Sequence, residues 1–161
     1  MLFRSSVRVI RAAQRLAVAA IAAWALGCAA PEPRPLTLGQ DACDYCKMTI
    51  SDARFGGEVV MKTGKIHTFD AVECLAAWVN AADASKIAGV YVVDIQHPGT
   101  LVPAEGAGFL KGAMVPSPMG RAISAFASPA VAEQQRAVLS GAVATWRELL
   151  AEHAAPPGGR S

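Results

Sequence analysis

Sulfur is concentrated in one short stretch of the chain. Cys43-Asp44-Tyr45-Cys46-Lys47-Met48 carries three sulfur side chains within six residues, Cys74 follows, and Met119 sits in the proline-bounded run Pro116-Ser117-Pro118-Met119-Gly120. Thiolates and thioethers are soft donors that suit Cu(I), whereas carboxylates suit hard cations. Two- or three-coordinate Cu(I) needs no larger ligand set. Cys46 and Met48 stand at i and i+2, so on an extended segment both project to the same side and can reach one ion. An open, low-coordinate site also suits a carrier, because a closed cage of four ligands releases its metal slowly.

Other chemistries compete for the same residues. An exported domain can pair Cys43 with Cys46, or either with Cys74, but three cysteines after Cys28 leave one unpaired. A redox C-x-x-C normally opens a helix after a strand, and the flanks here read as loop. Zinc asks for a fourth N or S ligand, which His67 or His97 can supply. Cys43-x-x-Cys46-Lys47 also fits a lysine-ligated haem attachment motif, with no C-x-x-C-H elsewhere to support it. His67 lies on one face of an expected hairpin strand, where an ordinary hydrogen-bonded histidine is the simpler reading. His97 precedes a proline in a turn, and His153 falls near the carboxyl end. Met61 and Met114 lie in strand-like runs and read as core filler. No Ser-His-Asp set, paired carboxylates or phosphate loop is visible, since Gly56-Gly57 and Gly106-x-Gly108 lack a strand-loop-helix setting. The sequence therefore reads as that of a binding protein, not an enzyme.

The elements that must position these residues follow from periodicity. Phe55–Lys62 and Lys65–Phe69, joined at Thr63-Gly64, read as a β-hairpin. Asp70 is the expected N-cap of a helix over 71–82, with Glu73 completing a D-x-x-E box and Val72, Leu75, Ala76 and Val79 on one face. Val90–Ile95 is a β-branched strand. The order is β-β-α-β. After a loop over 101–108, Phe109–Val115 reads as a short strand and Arg121–Leu139 as largely helical, with Ile123, Phe126, Val131 and Val138 as core candidates. Ser128-Pro129 interrupts that run and starts a second helix at Pro129. Ala142–Trp146 is a strand or helix entry, followed by a terminal helix ending at Glu152. The expected fold is one α+β domain with a repeated order in its two halves.

The amino end belongs to a different physics. Arg4, Arg8, Arg11 and Arg15 precede an apolar run from Leu16 to Leu26, with no acid before Glu32, which is the pattern of an export signal. The run is too short to span a bilayer as a helix. It ends at Ala25-Leu26-Gly27-Cys28, a lipobox-like sequence that makes Cys28 the expected lipidation site. The organisation read from the chain is a signal peptide over 1–27, a proline-rich tether over 28–37, a folded domain over 38–152 and a disordered tail over 153–161. The whole chain has 15 basic and 13 acidic residues, a net charge of +2. Removing residues 1–27 leaves eleven basic residues against thirteen acidic, net −2, which excludes a nucleic-acid binder built on phosphate neutralisation.

Taken in order, the blocks Cys43-Asp-Tyr-Cys-Lys-Met through Phe55-Gly-Gly-Glu58, Thr68-Phe69-Asp70 to Glu73-Cys74, Tyr91-Val-Val-Asp94 and Ser117-Pro-Met-Gly120 resemble the NosL family of lipoprotein accessory factors of nitrous oxide reductase. The resemblance covers roughly residues 41–150. It implies an α+β fold of two related ββαβ-like halves. It also implies a Cu(I)-binding protein, held by lipid at the periplasmic side of the cell envelope. Its partners would be an ABC transporter and a periplasmic assembly protein that mature the reductase. By the same resemblance Cys46, Met48 and Met119 are the expected copper ligands, Cys43 and His67 candidates to complete the set, and Cys74 an auxiliary thiol. Lys47 stands where glycine is common and Ser117 where threonine is common. Lys47 is expected to lower the Cys46 pKa. A homodimer around the metal is a further arrangement compatible with the family.

Overall fold

The computed structural model of the chain describes residues 31–153. Residues 1–30, which include the expected signal peptide and Cys28, and residues 154–161 lie outside the described residues. In chain order the elements are β1 (Gly57–Met61), β2 (Ile66–Phe69), α1 (Val72–Ala81), β3 (Ile87–Val93), β4 (Leu101–Pro103), β5 (Gly108–Lys111), β6 (Ile123–Phe126), α2 (Pro129–Leu139), β7 (Ala142–Ala144) and α3 (Trp146–His153). They form two antiparallel sheets of order β2-β1-β3-β4 and β6-β5-β7. In both, a hairpin is followed by a helix, and the third strand returns to the open side of the first. The α+β class and the two ββαβ halves expected from the sequence are thus observed, with β4 an extra edge on the first. Among the described residues no helix is long and apolar enough to cross a membrane.

Strand alternation sorts side chains between two cores. Phe109 faces a core shared with Val59, Phe69, Val92, Leu75 and Leu149, while Leu110, next along β5, faces a smaller core with Phe126 and Ala132 of α2. Ile123 and Ala125 likewise point to the first core and Phe126 to the second. Each such aromatic or leucine is worth roughly 1.5–3 kcal/mol on burial. β1 puts Val59 in the shared core, and the buried Glu58 and Val60 alternate with it towards the other face. The chain before β1 is tied down there. The Arg34 backbone N–H donates to Glu58 Oε2 at 3.0 Å, and the Arg34 guanidinium grips Asp41 through two hydrogen bonds of 2.8 and 2.7 Å.

Several expectations need correction. Leu101–Pro103 is a strand, because Val102 pairs with Val92 in a register that three residues alone do not advertise. Residues 123–126 are a strand instead of helix: Lys111 pairs with Ile123 and Gly108 with Phe126, and this pairing overrides local helix propensity. The helix does begin at Pro129, capped by the Ser128 hydroxyl, which accepts from the Val131 N–H at 3.4 Å. β5 stops at Lys111, as Gly112 turns with a φ of 67°. Met114 is consequently 71% exposed and no core filler, and Val138 is 67% exposed on the outer face of α2. Asp70 does not cap α1. The N-cap is Ala71, with extended backbone and no side-chain hydrogen bond, so the D-x-x-E box does not form. α3 continues through His153, whose Nδ1–H donates to the Leu149 carbonyl at 2.8 Å.

Candidate metal centre

The sulfur-rich stretch folds as a tight loop laid along the free edge of β2. Ala42 and Thr49 pair as an isolated bridge, the Cys43 N–H donates to the Met48 carbonyl at 2.8 Å, and the Lys47 N–H donates to the Cys43 carbonyl at 2.9 Å. Two bonds dock the loop on the strand. The Asp44 N–H donates to the Thr68 carbonyl, and the Thr68 hydroxyl donates to the Ala42 carbonyl, both at 2.9 Å. That docking carries Cys43 and Cys46 to the end of β2, where Asp70 emerges, and to the first turn of α1, where Cys74 lies one helical turn beyond Asp70. The Sγ atoms of Cys43, Cys46 and Cys74 and a carboxylate oxygen of Asp70 all lie within 4.8 Å of one another. Cys43, Cys74 and Asp70 are buried, and Cys46 is part-exposed, so it forms the outer rim. All three cysteines are free thiols.

The hydrogen bonding within the group sets its protonation. The Cys74 thiol donates to Cys43, and this bond, helped by backbone N–H groups of Cys46 and Asp70, holds the Cys43 thiol down at about 6 against the opposing effect of burial. The same bond and burial push Cys74 up. Cys46 is also pushed up, first by burial and then by the neighbouring Cys43 and Asp70 charges, and its Sγ–H lies 3.5 Å from both Asp70 carboxylate oxygens. The lowering of the Cys46 pKa expected from Lys47 is therefore overturned. Lys47 Nζ turns away to the Asp44 carbonyl and carboxylate. Among the metal-free thiols, one is expected to ionise near pH 6 and the other two only above the ordinary thiol range, as read by ultraviolet thiolate absorbance on a chain with Cys28 replaced. The depressed Cys43 pKa gives the linkage its sign: this stabilisation is complete above the ordinary thiol value and is lost as pH falls through about 6.

The remaining sequence candidates are placed differently. Lys47 has a φ of 67°, so the segment turns between Cys46 and Met48 and the same-side argument for an extended segment does not apply. Met48 is 50% exposed. Met119, 40% exposed, lines a cleft of about 240 Å³ together with Tyr45, Glu73 and Cys74, so it adjoins the thiol group on the Cys74 side. His67 stands outside the group: its Nδ1 lies 2.5 Å from Asp44 Oδ2 and its ring packs on Trp78 with centroids 4.5 Å apart. His97 similarly engages Asp94 at 2.7 Å. Asp70, expected from the sequence as a helix cap, instead joins the thiol group. The available signal was the Asp70-x-x-x-Cys74 spacing, which puts both side chains on one side of the chain at the strand-to-helix junction.

Four ligand-type atoms from a docked loop, a strand end and a helix start make a preorganised, sulfur-rich site with one part-exposed thiol. A crystal structure described as the copper chaperone NosL from Shewanella denitrificans is similar with a TM-score of 0.63 and 22% sequence identity, over 73% of this chain and 95% of that one. None of the curated proteins matches the chain. The family model for NosL matches residues 35–154, which takes in every strand and helix described above and both sulfur-bearing turns, and the chain belongs to the NosL family.

Proposed function

We propose that this domain is a carrier of Cu(I), binding it at the Cys43–Cys46–Cys74 thiols with Met119 and Met48 at the rim, and passing it on for maturation of the copper centres of nitrous oxide reductase. In this reading the chain is anchored by lipid on Cys28 at the periplasmic side of the envelope, and an ABC transporter and a periplasmic assembly protein are its partners. It is a carrier and not an enzyme. One observation carries the reading: three free thiols converge within 4.8 Å, two of them buried and Cys46 at a part-exposed rim. Thiolates around a metal at about 2.3 Å are spaced by about 3.8–4.0 Å, so the site closes on an ion by movements of about 1 Å or less. Membership of the NosL family and the similar structure's description as a copper chaperone support copper as the cargo.

A second reading, zinc, is favoured by Asp70, whose oxygen completes an S3O set of tetrahedral type. Anaerobic titration of the reduced chain with Cu(I) against a chromogenic Cu(I) chelator, with excess Zn(II) present, separates the two. The carrier reading expects one Cu(I) per chain, held despite the zinc. Retention of zinc with displacement of Cu(I) would select the other.

A further inference from the structure

Met119 is presented by a turn that carries its own strain. Gly120 has a φ of 75°, and Ala122, with a φ of 52°, occupies a left-handed conformation that a residue with a side chain rarely adopts. Ser117 holds this turn from both ends. Its carbonyl accepts from the Gly120 N–H at 2.9 Å, and its hydroxyl oxygen accepts from the Ala122 N–H at 3.0 Å. The hydroxyl proton is then donated across the fold to Glu73 Oε1 at 2.8 Å, a buried contact between residues 44 apart in sequence. Glu73 precedes Cys74 in the first turn of α1, and both line the cleft into which Met119 is presented.

Glu73 is an expensive residue for this place. It is 4% exposed, and its second oxygen, Oε2, is buried without a partner. Burying an unpartnered polar atom costs on the order of 1–3 kcal/mol, which the favourable position of an acid at a helix N-terminus offsets only in part. An apolar residue would fill the start of α1 at lower cost, so the burial needs a reason beyond packing.

We propose that Glu73 is a positioning residue for Met119: through the Ser117 hydroxyl it pins the Pro118–Met119 turn to the helix start that carries Cys74, and so fixes where a thioether meets a soft cation held by the thiols. This rests on the carrier reading above. The role needs an acceptor at Oε1, not the negative charge, so glutamine should serve and alanine should not. Thioether ligation is weak compared with thiolate ligation, which makes it sensitive to where the methionine is held.

The test uses the full chain with ¹³C-methyl-labelled methionine, read by NMR before and after addition of Cu(I). In Glu73→Ala the Met119 methyl signal of the metal-free protein should move towards the position and sharpness of a freely rotating methionine. Its shift on Cu(I) addition should fall by at least half, and Cu(I) affinity should drop by roughly tenfold, as for other residues that orient a ligand. Without metal, the signals of Met48 and Met61 should be the same in Glu73→Ala as in the unaltered chain. Glu73→Gln should restore the Met119 signals, and Ser117→Ala should reproduce Glu73→Ala, which keeps the test available if Glu73→Ala does not fold. A Met119 signal unchanged in Glu73→Ala and Ser117→Ala, or a folded Glu73→Gln that behaves as alanine does, overturns the proposal. If Cu(I) moves no methionine signal in the unaltered chain, the carrier reading fails at Met119. The metal-free comparison between the unaltered chain and the variants still decides the positioning.

Discussion

Replacing Cys46 with serine is expected to weaken Cu(I) binding by more than about 100-fold, beyond the 10–100-fold typical of residues that only orient a ligand. Cys46 is the part-exposed thiol of the group and therefore the one through which an incoming ion first meets sulfur. Serine keeps the volume but replaces a soft donor with a hard one. Cys43→Ser and Cys74→Ser should each weaken binding to a similar degree, because the remaining pair of sulfurs cannot close the same site. Those two changes also put a hydroxyl where a buried sulfur stood, so they should cost stability where Cys46→Ser costs little. Met119→Leu and Met48→Leu, which remove thioethers at the rim, should weaken binding by roughly tenfold each. The measurement is competition with a Cu(I) chelator of known affinity. A Cys46→Ser chain that holds Cu(I) as tightly as the unaltered one would remove the thiol group from consideration.

The largest stability effect is expected at Gly56. Its φ of 92° lies where side chains are rarely found, and a Cβ built there would stand 2.2 Å from the Phe69 carbonyl oxygen, with Asp70 backbone carbon at 3.4 Å. Neither neighbour is the movable end of a side chain. Gly56→Ala must therefore push β1 away from the end of β2, and a cost of about 3 kcal/mol or more follows from the strain and the clash together. Urea denaturation with the midpoint compared against the unaltered chain reads this directly. Since Asp70 leaves β2 at this point, the displacement should also loosen the metal group, and a folded Gly56→Ala should bind Cu(I) less tightly. An unchanged unfolding midpoint would show that the close approach does not occur.

How much of this was legible in the sequence depended on how local the determining contacts are. The first hairpin and α1 were readable because Thr63-Gly64 marks the turn and Val72, Leu75 and Ala76 repeat at helical spacing, with all three buried. β4 and β6 were not, since Leu101–Pro103 and Ile123–Phe126 are strands only through partners at a distance in the chain, Val92 for the one and Gly108–Lys111 for the other. The thiols were legible as residue types. Their grouping with Asp70 depended on the loop of Cys43 and Cys46 docking on Thr68, a contact between residues 26 apart in the case of the Thr68 hydroxyl bond to Ala42. The same limit explains Lys47. Its neighbour in sequence is Cys46, but a positive φ turns its ammonium to Asp44.

The grip of Glu58 and Asp41 on Arg34 has a consequence for reach. Five residues lie between Cys28 and Arg34, and the six extended steps that join the two cover at most about 20 Å. For a chain fastened by lipid at Cys28, as proposed, this is the full length of the leash, because the residues from 34 onward are already committed to the domain. The Arg34 end of the domain then stays within about 20 Å of the bilayer surface. An exchange partner would have to present its own ligands at the membrane surface to meet Cys46, and lengthening the leash ahead of Arg34 would widen the range of partners within reach.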